Sequence, residues 1–263
     1  MIAVEFAKQT WRLRTYVGFS LAGLIPVVFA ISFKANPPKG PGHEFFDLAT
    51  GSGINLSITA LTAVGSFLLI VVGSLFAGES ISGEADWGTL RYLLVRPVNR
   101  HRLLGAKLLV AVVLAVAATA FVTVVGMLVG TAAFGWHPVV TPTGAVSQGS
   151  ALGRMAVATL YVAWCQAAYV SFAFMLSTMT DRAFGAVAGG VGLGVVSQIL
   201  NNIPALDSTS YVYPTHYLDA WHSLFLQSGQ TQEMLRGLLV QVPYVVVFLA
   251  VGWWWFNRKD VTS

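Results

Sequence analysis

The side chains able to do chemistry crowd into one short stretch. Residues 78–107 hold Glu79, Glu84, Asp86, Arg91, Arg96, Arg100, Arg102 and Lys107, eight charges in 30 positions. That approaches the ~25% typical of soluble domains, in a chain whose overall charged share is 10%. Within the stretch Leu90, Leu93 and Leu94 fall at i, i+3, i+4 beside Arg91, the spacing of a short amphipathic helix. Pro97 disfavours helix at Arg96 and should end it there. Such a helix, flanked by charges of both signs, suits docking onto a partner. By composition alone it also suits an interfacial helix lying on anionic lipid headgroups.

Other chemistries find little support. No G-x-x-x-x-G-K-[ST] occurs, so there is no phosphate-cradling loop of that type. The run Gly189-Gly190-Val191-Gly192-Leu193-Gly194 lies in an apolar stretch with no strand before it. Gly185 with Gly189, Gly190 with Gly194, and Gly126 with Gly130 are each four apart, as in helix-packing motifs, although a merely glycine-rich membrane helix would look similar. His137, His216 and His222 lack H-E-x-x-H spacing, and Asp219 stands alone near them, so no metal site is expected. Cys165 is the only cysteine and sits in an apolar run, which predicts a buried, inert thiol. No Ser/His/Asp arrangement assembles. The apolar stretches hold almost no ionisable residues, which leaves a proton relay or ion-coupled transport little to work with.

The scaffold that must position the charged stretch follows from composition. Of 263 residues, 56% are apolar, and mean hydropathy is +0.69. A soluble exterior has no room for that much apolar surface, so the chain is expected to be an integral membrane protein. Six stretches approach the ~20 apolar residues that a bilayer-spanning helix needs: 16–33, 56–77, 108–134, 156–176, 183–203 and 235–256. They are too long and uniform for barrel strands, and the expected fold class is an all-α bundle of six transmembrane helices. With the N-terminus inside, 11 of the 15 Lys and Arg fall on the cytoplasmic side; Lys34, Lys39, Arg154 and Arg236 remain outside. The positive-inside rule then puts both termini in the cytoplasm, with Trp253-Trp254-Trp255 as an inner aromatic belt. The first span lacks a clear small-x-small cleavage site after it and reads as retained. Before it, over residues 1–14, Glu5, Lys8 and Arg12 share one helical face and Ile2, Phe6, Leu13 and Val17 the other, the pattern of an interfacial helix.

The order Glu84, Asp86, Gly88, Thr89, Leu90, then Pro97, Val98, Asn99, Arg100, then Lys107 resembles the loop after the second span in permease subunits of type-2 ATP-binding-cassette (ABC) exporters. That loop reads E-x-E-x-G-T-L, a few apolar residues, P-V-S-R, then G-K. Here Asp86 stands for Glu, Asn99 for Ser, and Gly105-Ala106 precedes the lysine. Tyr213-Pro214-Thr215-His216-Tyr217-Leu218 with Trp221 is similar to the family's segment between spans five and six, where short helices dip into the outer leaflet.

The resemblance implies one transmembrane domain over 1–263, with a cytoplasmic coupling segment at 78–107 and an outer loop at 204–234. It implies a second permease copy or a homologous permease, and two copies of an ABC ATPase subunit that binds the ATP and Mg; this chain would bind no cofactor and hydrolyse nothing itself. Residues 89–95 would form the coupling helix, with Leu90, Leu93 and Leu94 in a groove of the ATPase and Arg91 and Arg96 paired to acids at its rim. Glu84 and Asp86 would favour that helix's N-terminal dipole or pair with Arg100 or Arg102. Family geometry sets spans two and five along a central cavity. Its lining would be Phe67, Leu68, Val71, Val187, Val191 and Val195, with the amides of Gln198, Asn201 and Asn202 towards the outer end. That surface suits a hydrophobic or amphipathic cargo (drug, peptide or lipid) exported by alternating access. The expected setting is the cytoplasmic membrane of a bacterial cell, with the lipid bilayer as surroundings and no nucleic acid as partner. The alternatives are an importer permease, whose coupling loop lies later in the chain, a six-span protein without transport activity, and a membrane enzyme, which would need clustered polar residues within its spans.

Overall fold

In hydrocarbon no water is available to satisfy backbone N–H and C=O groups, so each apolar stretch must close its own hydrogen bonds. The computed structural model, which describes residues 2–37, 46–86, 100–226 and 231–258, is accordingly a bundle of helices. In chain order these are α1 (Ile2–Thr10), α2 (Leu13–Ala35), α3 (Gly53–Gly65), α4 (Leu68–Asp86), α5 (Arg100–Phe134), α6 (Gln148–Cys165), α7 (Ala167–Met179), α8 (Ala183–Asn201) and α9 (Gln232–Arg258). A small antiparallel hairpin, β1 (Val139–Thr141) and β2 (Gly144–Val146), follows α5, and 3₁₀ turns at Pro204–Val212 and Ala220–Phe225 precede α9. Six spans are long and apolar enough to cross a membrane: α2, α4, α5, α6 with α7, α8, and α9. The protein is membrane-embedded and essentially all-helical, with the hairpin as an addition that hydropathy did not foresee.

Large apolar side chains point outward from five of those spans. Ile31 on α2 is 66% exposed, Leu128 on α5 67%, Phe184 on α8 84% and Leu239 on α9 62%; Leu160 on α6 adds 64%. In water such a belt would drive aggregation, whereas against acyl chains it matches the surroundings. The interior is built instead from α3, α4 and α7, whose residues are mostly buried.

The structure departs from the expected spans in two places. Residues 53–86 and 148–179 are each interrupted, at Ser66–Phe67 and at Gln166. Hydropathy counts apolar character and does not sense a missing helical bond. The two interruptions are joined: Gln166, 2% exposed, donates its Nε2–H to the Gly65 carbonyl at 3.1 Å. A side-chain amide thus takes over where the helical ladder lapses. The third span also begins earlier than hydropathy suggests, at Arg100, because its charges find partners instead of ending the helix.

Small residues let the interior helices touch backbone to backbone. A Cβ on Gly130 would lie 2.7 Å from the Gly53 carbonyl oxygen, and one on Gly126 3.0 Å from Ser57 Cα, so α5 rides directly on α3. Ser57 Oγ–H closes this seam by donating to the Thr123 carbonyl at 2.8 Å. On the other side of the bundle, Gly194 packs on Ile70 and Gly190 on Ser74, while Gly78 sits 2.8 Å (by the same construction) from Val187 N. At the far end, Asn55 acts as a surrogate strand. Its Oδ1 accepts from Val140 N at 3.0 Å and its Nδ2 donates to Val140 O at 2.6 Å, which fixes the hairpin on α3.

Gly130→Leu is expected to destabilise the detergent-solubilised protein by ~2 kcal/mol or more, because backbone and not a movable side chain occupies the site. Gly192→Ala, at a position with nothing within 4 Å, should be neutral or slightly stabilising through helix propensity. Thermal melting of both variants checks the pair; equal losses would contradict the packing described.

Candidate functional site

Among the described residues, Glu79, Glu84 and Lys107 from the charged stretch meet charges of α1 and the start of α2 at one end of the bundle. Lys107 lies two turns into α5 and is 1% exposed. An ammonium so placed costs several kcal/mol unless it is paired and hydrogen-bonded. It donates to Glu84 Oε1 on α4 at 2.8 Å and to Glu5 Oε2 on α1 at 3.2 Å. Lys8 Nζ reaches the same Glu84 Oε1 at 2.6 Å while its own side chain stays 39% exposed. Two cations and two carboxylates therefore alternate across three helices with no net charge. Beside them Arg14 of α2 pairs with Glu79 of α4.

This arrangement sets the polar face of α1 against the bundle. Glu5 and Gln9 face the protein at 7% and 6% exposure, and Ile2, Val4 and Phe6 face outward at 50%, 69% and 40%. The amphipathic split read from the sequence is present, but buried ion pairing makes the polar side the inner one.

The last two turns of α4 bind further neighbours. Ser177 Oγ on α7 accepts from Ile81 N and Ser82 N, both at 3.0 Å. Asp86 Oδ2 accepts from Ala183 N at 3.3 Å. Ala183 is the first residue of α8, whose own N-cap, Arg182, makes no side-chain capping bond; a carboxylate there also favours the helix dipole. On the α5 side Arg100 Nη1 donates to the Asn257 carbonyl at 3.3 Å, and Trp253 Nε1 donates to His101 Nδ1 at 3.1 Å. Arg258 lies 4.2 Å over the Trp254 ring, a cation–π contact at the same end.

Of the residues singled out in the sequence, Glu84, Asp86 and Arg100 lie at this end, bound to different partners: Lys107 and Lys8, Ala183, and Asn257. They belong to helices α4 and α5 and not to a solvated loop. Gly88, Thr89, Leu90, Arg91, Leu93, Leu94, Arg96 and Pro97 lie outside the described residues. Among the cavity candidates, Phe67 is 47% and Val195 36% exposed on the outer surface. Leu68 packs against the core, Val187 lies against Gly78, and Val71, Val191, Gln198 and Asn201 are half-buried. Asn201 Oδ1 is 2.9 Å from His216 Nδ1. Cys165 is fully buried.

Sequence reasoning missed Glu5, Lys8 and Lys107 as one unit, since they stand up to 102 residues apart. The available signal was a single lysine inside an otherwise apolar helical run, Leu103 to Leu109, which calls for a partner. At the hairpin end the reasoning also missed His222. Its Nε2 lies 2.8 Å from Thr62 Oγ1, and burial pushes its pKa down to about 4. Burial pushes the neighbouring Asp219 carboxyl up.

Comparisons with known proteins are consistent with the membrane character. The family model described as "Protein of unknown function (DUF2705)" matches residues 23–262. The Bacillus subtilis (strain 168) "Uncharacterized protein YhcI" is 23% identical over 242 residues, covering 87% of this chain and 72% of that protein. "Uncharacterized membrane protein YdbK" from the same strain is 24% identical over 220 residues, 79% of each chain.

Two outcomes follow from this geometry. Lys107→Met and Glu84→Gln should each cost ~3 kcal/mol by orphaning buried charge, and the double variant should lose 1–3 kcal/mol less than their sum, roughly. A double-mutant cycle by thermal melting reads this, and additive losses would remove the ion network as the cause. For His222, the unfolded imidazole takes up a proton first as pH falls, so stability is full above 6.5 and drains between pH 6.5 and about 4. Subtracting the melting curve of His222→Asn from the wild type isolates that slope from Asp219; a flat difference across the window would contradict it.

Proposed function

We propose that this chain, which belongs to the DUF2705 family, is the membrane-spanning permease subunit of an ATP-driven ABC transporter that exports a hydrophobic or amphipathic cargo. The observation that carries the reading is the motif order from Glu84 to Lys107. In support, Asp86 and Arg100, which flank the intervening segment, are fastened to two different helices, α8 and α9. Displacement of the intervening segment would thus be delivered to both of these helices.

On this reading the α1 end faces the cytoplasm, and residues 89–95 insert into a groove on each of two ATPase subunits. Nucleotide-driven closure of those subunits biases the membrane halves between two arrangements, and the bias enters through the coupling helix. A second permease completes the cargo path, which is consistent with the exposure of Phe67 and Val195 at the surface of a single chain.

The test is co-expression of the tagged full chain with its neighbouring genes, among which a soluble ATPase with a phosphate-binding loop is expected. A stable complex is expected, with cargo-stimulated ATP hydrolysis. Leu93→Asp together with Leu94→Asp should abolish the stimulation or the complex while the permease still folds in detergent. Failure of any phosphate-loop ATPase to co-purify, or undiminished stimulation in an intact mutant complex, would overturn the assignment.

A further inference from the structure

Between α1, α2 and α4, at the α1 end of the bundle, the surface opens into a cleft of about 800 Å³. Lys8, Arg12 and Arg14 line it, with Glu79 as its acid. Lys8 is committed to Glu84 and Arg14 to Glu79, and the Glu5–Lys107–Glu84–Lys8 group is neutral as a whole. Arg12 forms no ion pair among the described residues, so the cleft carries one uncompensated guanidinium. Arg12 Nη1 lies over Gly83, where a Cβ would come within 3.7 Å, and the missing side chain keeps the floor open.

The walls are not those of a site for a free anion. Leu13 and Val17 continue the cleft along α2 at 79% and 48% exposure, and Trp11 beside it is 80% exposed. The outward face of α1 presents Ile2, Val4 and Phe6 at the same level. Exposed tryptophan and an apolar helix face are what a headgroup-level interface accommodates. A basic pocket that runs directly into an apolar wall fits a molecule with a phosphate at one end and hydrocarbon at the other.

We propose that this cleft binds the phosphate headgroup of an anionic phospholipid, with Arg12 as the main donor and Leu13 and Val17 along the first acyl carbons. Arg14 and Lys8 set the positive rim and remain paired to their own carboxylates. The site does not depend on the transport reading and stands if the chain moves no cargo.

The test titrates the full chain, purified in detergent, with dioctanoyl phosphatidylglycerol, dioctanoyl phosphatidylcholine and inorganic phosphate, reading thermal shift and retained adducts by native mass spectrometry. Phosphatidylglycerol alone should raise the melting temperature and stay bound. Arg12→Gln should weaken it about fivefold, the usual worth of one basic residue at an anionic surface, and Arg12→Lys should keep most of the effect. Arg236→Gln, which removes an equal charge from the exposed start of α9, should change nothing. Leu13→Ser, at an exposed position that leaves the fold intact, should weaken the dioctanoyl lipid without making inorganic phosphate bind. An equal response to phosphatidylcholine, an equal response to inorganic phosphate, or wild-type affinity in Arg12→Gln would each overturn the proposal.

Discussion

A lysine ammonium at 1% exposure inside an apolar helix is the demand that organises one end of this molecule. Lys107 is tolerable there only because two carboxylates reach it from other helices. One, Glu84, arrives on α4; the other, Glu5, requires α1 to fold back across the bundle with its polar face inward. Lys8 then adds a second cation to Glu84, which balances the charge of the group, and Arg14 with Glu79 ties α2 into the same layer. The place of α1, the depth of the α4 terminus and the early start of α5 all follow from neutralising one buried cation. The cleft beside Arg12 is the margin of that arrangement, where the supply of carboxylates runs out.

The middle of the bundle obeys the same rule for uncharged groups. Two spans lapse from regular helix, and hydrocarbon would make each lapse costly if the freed carbonyls faced it. The two lapses meet inside the bundle through buried Gly65 and Gln166, where the Gln166 amide donates to the Gly65 carbonyl. Hydroxyls do similar work along the spans: Thr59, Thr62, Thr119, Thr131 and Thr159 each donate to the carbonyl four residues earlier. Thr123 adds a contact between α5 and α6 through Thr159 at 3.0 Å. These hydroxyls are thus directed at backbone or at one another, and the exterior carries large apolar side chains.

The number of spans and their approximate places were legible from hydropathy, because length and apolar content are what a bilayer selects. The close-packed role of Gly126, Gly130, Gly190 and Gly194 was visible as four-residue spacing, and the structure gives each a specific neighbour. What stayed hidden was long-range. Nothing local in Glu5 or Lys107 says that they meet, and the division of α1 into polar and apolar sides did not show what the polar side would pack against. The reason is physical: a polar face seeks a partner or water, and the partner here is a lysine 102 residues away. The interruption at Ser66–Phe67 was hidden too, since serine and phenylalanine are ordinary in an apolar helix, and only the partner at Gln166 makes the break affordable.

These two layers, ionic at one end and amide-repaired in the middle, set how α4 is able to move. Its final two turns hold α1 and α5 through Glu84, α7 through the Ile81 and Ser82 amides, and α8 through Asp86. Pulling Glu84 away from Lys107 in a buried setting costs several kcal/mol, comparable to a large share of a whole domain's stability. On the proposed transport reading, a force delivered to the end of α4 at Asp86 would therefore meet less resistance by tilting the lower part of α4 as a unit than by unwinding it. The compliant point for such a tilt is the break at Ser66–Phe67, where one helical bond is already replaced by a side chain. Since that side chain is Gln166, the tilt would be shared with the matching break between α6 and α7, and the two interior spans would bend together.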